Sequence, residues 1–372
     1  MAYINSLRLV DFRSYSGLDL SLQNGPIVIF GPNGAGKTNL LEAISLLSPG
    51  RGLRRAAMDS LARKDGETRA PAWGINAVLD SGERLSIGQV PEYPRRRTVR
   101  IDRKSATGSQ LAKLLAVMWL TPAQDRLFTG PAGDRRKFLD RFALTHHPQH
   151  GMASIRYEKA RSERNRLLSD GIQDAGWYDA LEADLAAQGT DIVKTRIETT
   201  QRLQAEIDAR DSVFPKSVLR LEGHIETLFE ELQNFDEVEF AFREQLAATR
   251  RVDMRAGRTL IGPHKTELHV THAEKSMPAA QCSTGEQKAL LIGLTLAHAR
   301  AQSHMQPILL LDEVAAHLDE IRRAALAEEL LDLGTQIFMT GTDESLFSDF
   351  TGRAQVLHIQ DGAVDSQTAS KT

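Results

Sequence analysis

Residues 26–47 read PIVIFGPNGAGKTNLLEAISLL, and this stretch decides the fold. PIVIF is a short continuous apolar run, the pattern of a buried strand. Gly31, Pro32, Asn33, Gly34, Ala35, Gly36, Lys37 and Thr38 follow and match G-x-x-x-x-G-K-[ST] in full. Leu40, Leu41, Ile44 and Leu47 then recur at helical spacing. Strand, glycine loop and helix in that order make a phosphate-binding loop. The glycines let successive N–H groups curl around a phosphate, and the helix N-terminus adds partial positive charge. Lys37 would reach the β- and γ-phosphates of a nucleotide, and Thr38 would offer its hydroxyl to Mg²⁺. The full match in its proper context sets aside an ordinary glycine turn.

Outward from the loop, residues 4–30 alternate as strands, and 72–105 read as short strands with turns at 80–82 and 102–104. Helical periodicity fills 133–147, 154–169 and 177–210, with a glycine-bearing break at 170–176. Strands return after 256. A helix is expected at 284–303, a buried strand at 307–313, a helix at 318–334, a strand at 336–340 and a terminal strand over 354–364 ending at an Asp-Gly turn. Two α/β portions flanking a helical insertion are expected to share one sheet. The expected organisation is a discontinuous head, 1–120 with 247–372, and a mainly helical arm over 121–246.

Two further motifs carry chemistry. Ile308-Leu309-Leu310-Leu311 runs into Asp312 and Glu313. A buried strand ending in Asp places a carboxylate beside a Mg²⁺ shell, and the adjacent Glu can act as general base on a water. Alone this is weak; with the glycine loop it is strong. Ser283-Thr284-Gly285-Glu286-Gln287-Lys288 reads as a capping box, Ser283 at the N-cap and Glu286 three residues on. The same helix N-terminus is an anion site. In ATPases of the ABC class such a loop binds the γ-phosphate of a nucleotide held by the opposite subunit, and cap and ligand need not exclude each other.

Phosphate loop, long insertion, signature loop, acid-ended strand and then Ala316-His317-Leu318-Asp319, like a D-loop, is the ABC order. With FRSY (12–15), GKTNLLEAI (36–44), GRGLR (50–54), Arg135-Arg136, Phe138-Leu139-Asp140, RNRLL (164–168), Trp177, Gly262-Pro263-His264-Lys265 and STGEQK (283–288), the chain resembles the RecF family of SMC-like bacterial recombination mediators over nearly its whole length. The chain departs from that pattern at Lys265, where Arg is usual, at Thr284 and Glu286, where the latter is more often Gln, and at Ala123-Gln124 after Thr121-Pro122, where Glu-Asp is usual.

The resemblance implies an α/β ABC/SMC-type P-loop ATPase head with an inserted helical arm. It implies ATP and Mg²⁺, Gln124 as a Q-loop residue sensing Mg²⁺ and the γ-phosphate, and Arg13 touching nucleotide phosphates. It also implies a D-loop role for Asp319, and an ATP-dependent homodimer with each site shared between Lys37 of one chain and Ser283 and Gly285 of the other. Gly341-Thr342-Asp343 follows QIFMT where transporter ATPases carry a switch histidine, which suggests slow turnover. The implied role is binding of gapped or single-strand–duplex DNA in replication and recombinational repair. RecR and RecO would act with it to load RecA on strands coated by single-strand-binding protein, and hydrolysis would be weak and DNA-stimulated.

Composition bounds the alternatives. The chain has 372 residues and a formal net charge of −3, which taken alone speaks against a nucleic-acid partner. Residues 51–166, however, carry 24 Lys and Arg against 12 Asp and Glu, and the remainder is acidic. That asymmetry suggests a polyanion-facing surface, although pairing between neighbouring elements would also account for it. Arg95, Arg96, Arg97, Arg100, Arg103 and Lys104 form its sharpest cluster, read as a phosphate-contacting edge or as a solvated loop. One cysteine, Cys282, excludes an intramolecular disulfide and a Cys-ligated zinc site. His146, His147 and His150 suggest a metal cluster only superficially, since Pro148 interrupts them. Without a signal-peptide pattern or a long apolar run, a cytoplasmic protein with no membrane partner is expected, and the resemblance implies association with the nucleoid. A transporter ATPase subunit would need far fewer than the 244 residues separating Thr38 and Ser283. A structural SMC tether would need a long coiled coil, for which 131–211 leaves little room. A coupled nuclease would need a second acidic cluster, which distant acids could assemble.

Overall fold

The computed structural model describes residues 3–93, 96–302, 305–316 and 318–368; Arg95 and His317 lie outside them. The chain runs β1 (Ile4–Phe12), β2 (Tyr15–Ser21), β3 (Pro26–Phe30), α1 (Lys37–Ser45), β4 (Lys64–Asp65), β5 (Thr68–Arg69), β6 (Trp73–Leu79), β7 (Arg84–Gln89), β8 (Thr98–Ile101), β9 (Lys104–Ser105), α2 (Gly108–Leu114) and β10 (Val117–Leu120). It continues through α3 (Ala132–His146), α4 (His150–Ser169), α5 (Ala175–Ala209), β11 (Ser217–Glu222), α6 (His224–Leu232), α7 (Phe235–Ala256), β12 (Glu267–His272), β13 (Met277–Pro278) and α8 (Thr284–Ala301). It closes with β14 (Ile308–Leu311), α9 (Glu320–Asp332), β15 (Ile337–Gly341), β16 (Gln355–Gln360) and β17 (Ala363–Thr368).

Packing divides the chain into two compact units. The first comprises residues 1–125, 212–214 and 295–372. Its antiparallel sheet has the order β2-β1-β6-β7-β8-β9 and its second sheet the order β10-β14-β15-β3-β16-β17, parallel except at β17. β1 alternates so that Ile4, Leu7, Leu9 and Phe12 are buried. They join one apolar core with Leu40, Leu41 and Ile44 of α1 and with Ile27, Ile29, Leu310 and Phe338 of the parallel sheet. The Asp-Gly turn ends β16 but not the sheet: Asp361 and Gly362 both have positive φ (48° and 75°), as a tight two-residue hairpin requires, and β17 returns antiparallel.

The second unit comprises residues 126–211 and 215–294. Tyr157 and Leu167 of α4, Leu185 and Val193 of α5, and Phe242 and Leu246 of α7 form its apolar core. Fully buried Arg164 ties these helices. It donates to Glu182 (3.1 Å), Asp253 (2.7 Å), Thr259 Oγ1 (2.9 Å) and the Leu246 carbonyl (3.0 Å), so its charge is paired and its donors used. Packing therefore carries 247–294 with the helical unit, whereas the sequence assigned it to the head: residue 247 falls inside α7, and β12 pairs with β11. α4 begins at His150, four residues before its expected start, because His150 is buried, with Nδ1 2.6 Å from Thr195 Oγ1 and Nε2 3.2 Å from Asp140. Among the described residues no helix is long and apolar enough to cross a membrane.

Candidate functional site

The glycine loop lies between β3 and α1. Gly31 has φ 151°, and a Cβ there would sit 2.0 Å from the Ile359 carbonyl oxygen; Gly36 has φ 115°, and a Cβ there would meet Ser14 Oγ and Tyr15 Oη at 2.8 Å. Only glycine fits either place. The Tyr15 hydroxyl donates to the Gly36 carbonyl at 2.9 Å, so the β2 hairpin holds the loop from behind. Lys37 is buried and its ammonium donates to the Gly31 (2.7 Å) and Pro32 (2.9 Å) carbonyls, curling over the loop. Burial pulls the Lys37 pKa below that of an ordinary lysine, while Glu313 and Asp312 pull it the other way.

The parallel sheet delivers the acids. Pairing of β14 with β15 sets Asp312 beside Thr340. Thr38 Oγ1 donates to Asp312 Oδ1 at 3.0 Å, and Thr340 Oγ1 donates to the same oxygen at 2.7 Å. The Glu313 N–H in turn donates to Thr340 Oγ1 at 3.0 Å. Glu313 has φ 52°, the left-handed region. Asn33, Gly34, Gly36, Lys37, Thr38, Asn39, Arg54 and Glu313 line one open cavity of about 130 Å³. A hydroxyl and a carboxylate at this spacing are hard oxygen donors suited to Mg²⁺. Among the described residues no group of three His, Cys, Asp or Glu could hold a metal alone, so a cation here would need oxygens from a ligand as well.

Arg13 sits elsewhere than on the cavity. Its Nε and Nη2 each donate to buried Glu42 at 2.8 Å and its Nη1 to the Ser60 carbonyl at 3.1 Å, bracing α1. Arg54 lines the cavity instead, held by Asn39 Oδ1 (2.7 Å) and Glu42 (3.1 Å). The sequence reading missed Arg54 and Thr340 as site residues. The available signals were a lone acid, Glu42, among the apolar residues of α1, and a lone hydroxyl in the apolar strand IFMTG.

Gln124 follows β10, the strand beside β14, but its side-chain carbonyl accepts from the Thr121 N–H at 3.1 Å, folded onto its own turn. Asp319 caps α9, accepting from the Arg322 N–H at 2.8 Å. In the second unit, Ser283 and Glu286 form the expected reciprocal cap: the Ser283 N–H and hydroxyl each donate to Glu286 Oε2 at 2.9 Å. Lys275 also pairs with Glu286, and these three donors hold the Glu286 carboxyl down at about 2, Lys275 contributing most. A Cβ at Gly285 would meet nothing, so the face of this helix end is open.

The basic cluster needs one correction. Arg97 is no surface phosphate contact. Its Nη1 donates to the Gly50 carbonyl at 2.6 Å and its Nη2 to Ser48 O at 3.0 Å and to Leu46 O, covering the carbonyls that follow α1. Burial pushes its pKa down to about 10, so it stays a cation at neutral pH. Arg96, Arg100, Arg103 and Lys104 are exposed, the last three on the β8–β9 hairpin at the sheet edge.

The family model described as RecF/RecN/SMC N terminal domain matches residues 3–365. DNA replication and repair protein RecF of Mesorhizobium japonicum is 48% identical, with 97% of each chain covered, and that of Caulobacter vibrioides is 47% identical over 98% of each. Among solved structures, the recombination mediator protein RecF-ATP in the RecFOR pathway superposes with a TM-score of 0.83 at 22% identity, covering 99% of both chains. An Smc head bound to the C-winged helix domain of ScpA gives 0.60 at 15%, covering 99% of this chain and 98% of that one. At those identities the structures attest the fold, an ABC/SMC-type α/β head with a helical insertion. The near-full-length match to curated relatives attests more: this chain belongs to the RecF family of DNA replication and repair proteins.

Proposed function

We propose that this chain is an ATP-driven switch on DNA. ATP would lie on the loop from Gly31 to Thr38, with Lys37 leaving its carbonyl partners for the β- and γ-phosphates and Arg54 supplying a second cation from the cavity wall. Mg²⁺ held by Thr38 and Asp312 would neutralise developing charge on the phosphoryl oxygens. Glu313 is the general base that takes a proton from the attacking water. Ser283 and Gly285 at the open end of α8 would complete the site of a second copy, so that ATP closes a homodimer. Asp319 and Gln124 are proposed at the edges of that site, Gln124 after its turn reopens. Arg13 would act through Glu42 unless nucleotide draws it out.

DNA with a gap or a single-strand–duplex junction would bind the closed dimer, through Arg96, Arg100, Arg103 and Lys104 among others. DNA would stimulate a slow hydrolysis that resets the switch. Through the family, the proposed setting is the cytoplasm at the nucleoid, with RecR and RecO as partners in loading RecA. The observation that carries this reading is the meeting of Lys37, Thr38 and Glu313 in one cavity, with Asp312 bonded to Thr38, in a chain of this family. The test is mass measurement in solution without nucleotide, with ADP and with ATP, each with and without duplex DNA. Dimer mass with ATP alone among the nucleotides is expected; a monomer under every condition would overturn the switch.

A further inference from the structure

We propose that Thr340 is the positioning residue for both acids of the nucleotide site, an inference that rests on the roles proposed above for Asp312 and Glu313. Thr340 is 1% exposed, near the end of β15, and its hydroxyl is shared between two neighbours. It donates to Asp312 Oδ1 at 2.7 Å and accepts from the Glu313 N–H at 3.0 Å. Each bond does a different job. The first fixes the carboxylate from within the sheet. Thr38 bonds the same oxygen, but its hydroxyl is also the one a cation would claim; Thr340 lies within the strand and can keep its hold when a cation binds. The second bond anchors a peptide in the left-handed region, at φ 52°, which a non-glycine residue adopts at a cost. That conformation turns the chain sharply after Asp312, with Glu313 lining the phosphate cavity. Without the hydroxyl, Asp312 loses a buried donor and Glu313 loses the acceptor that offsets its strain.

Groups that orient a metal-binding carboxylate typically change metal affinity or activity about 10–100-fold when removed. Thr340→Val keeps the shape and deletes the hydroxyl; Thr340→Ser keeps the hydroxyl; Thr340→Cys substitutes a weak thiol donor. ATP affinity is to be titrated in EDTA and across a Mg²⁺ series, with hydrolysis and melting followed in parallel on the full chain. For Thr340→Val we expect EDTA affinity to stay near parental and the Mg²⁺ concentration giving half-maximal tightening to rise roughly tenfold. We also expect kcat to fall by about tenfold or more with KM little changed. Thr340→Ser should recover both and Thr340→Cys should not; that Ser–Cys contrast carries the test by itself if the valine variant fails to fold. A valine or cysteine variant with parental Mg²⁺ dependence and kcat would overturn the proposal, as would a serine variant as defective as cysteine. Glu313→Gln separates the two levels. If it too hydrolyses ATP like the parent, the assignment of the acids fails; if it stops hydrolysis while Thr340→Cys and Thr340→Val change nothing, only the role of Thr340 falls.

Discussion

Ser283 carries two readings that one substitution separates. Its bonds with Glu286 make it a helix cap, worth about 1 kcal/mol in stability. Its exposure beside an open Gly285 leaves it free to meet a phosphate from another copy. Ser283→Arg should therefore melt slightly early yet bind ATP as a monomer, because its own Lys37 is intact. It should fail to dimerise on ATP and lose hydrolysis and ATP-stimulated DNA binding together. Mixing it with Lys37→Ala gives one composite site with both parts whole and one with both lesions, so sedimentation and turnover should recover in part. Dimerisation of Ser283→Arg alone on ATP would sink the shared site. The loop and the two acids were legible in the sequence because each is a contiguous run whose chemistry is local. Thr340 was not, because its partners are 28 and 27 residues away and only the parallel register of β14 and β15 sets them together.

Among the elements, α1 is gripped along its length. Tyr15 holds the residue before it, Arg13 and Arg54 hold Glu42 in its middle, and Arg97 covers the carbonyls after its end. Arg97 thus parts company with its neighbours in the sequence cluster. Arg97→Ala should lower stability by about 1–3 kcal/mol, seen in denaturant melts, since three carbonyls after α1 lose a charged donor. Reversing Arg100, Arg103 and Lys104 to Glu should leave melting nearly unchanged and weaken DNA binding. It should flatten the log–log salt dependence by about 0.9 for each DNA phosphate that is no longer neutralised. An unaltered slope would mean this hairpin is only solvated. The charge run was visible in the sequence, but which arginine turns inward depends on where β8 lies against the end of α1. The helices α6 and α7 were also missed. Gly223 interrupts the pattern before α6, and in α7 exposed apolar residues such as Phe240 and Val252 blur the four-residue spacing of buried Val238, Phe242 and Leu246.

Across the whole molecule, falling pH should weaken the helical unit through one buried histidine. His264 bonds Tyr157 Oη through Nδ1 at 2.7 Å and the Thr259 carbonyl through Nε2 at 3.2 Å, an arrangement for the neutral ring. Burial, and after it the charge of Arg161, lower its pKa from 6.5 to about 4. The folded pKa is the lower one, so the unfolded chain takes the proton first. Stability is therefore full above about 6.5 and declines as pH falls towards 4, by at most about 3 kcal/mol. Urea melts at stepped pH should show that decline, and His264→Gln should flatten it; identical slopes would remove His264 as the cause.

β3 lies between β15 and β16, and the phosphate loop packs against Ile359. Strand and loop leave the ribosome long before β15 and β16, the neighbours they need. The helical unit, residues 126–211 with 215–294, can therefore collapse during synthesis while the nascent loop waits, its apolar strand PIVIF unpaired and open to chaperones or aggregation. Nucleotide binding becomes a property gained only once β15 and β16 have emerged and closed on β3. Released chains truncated after Gly352 should bind no ATP yet still protect the helical unit from protease, whereas chains that retain β16 should bind it.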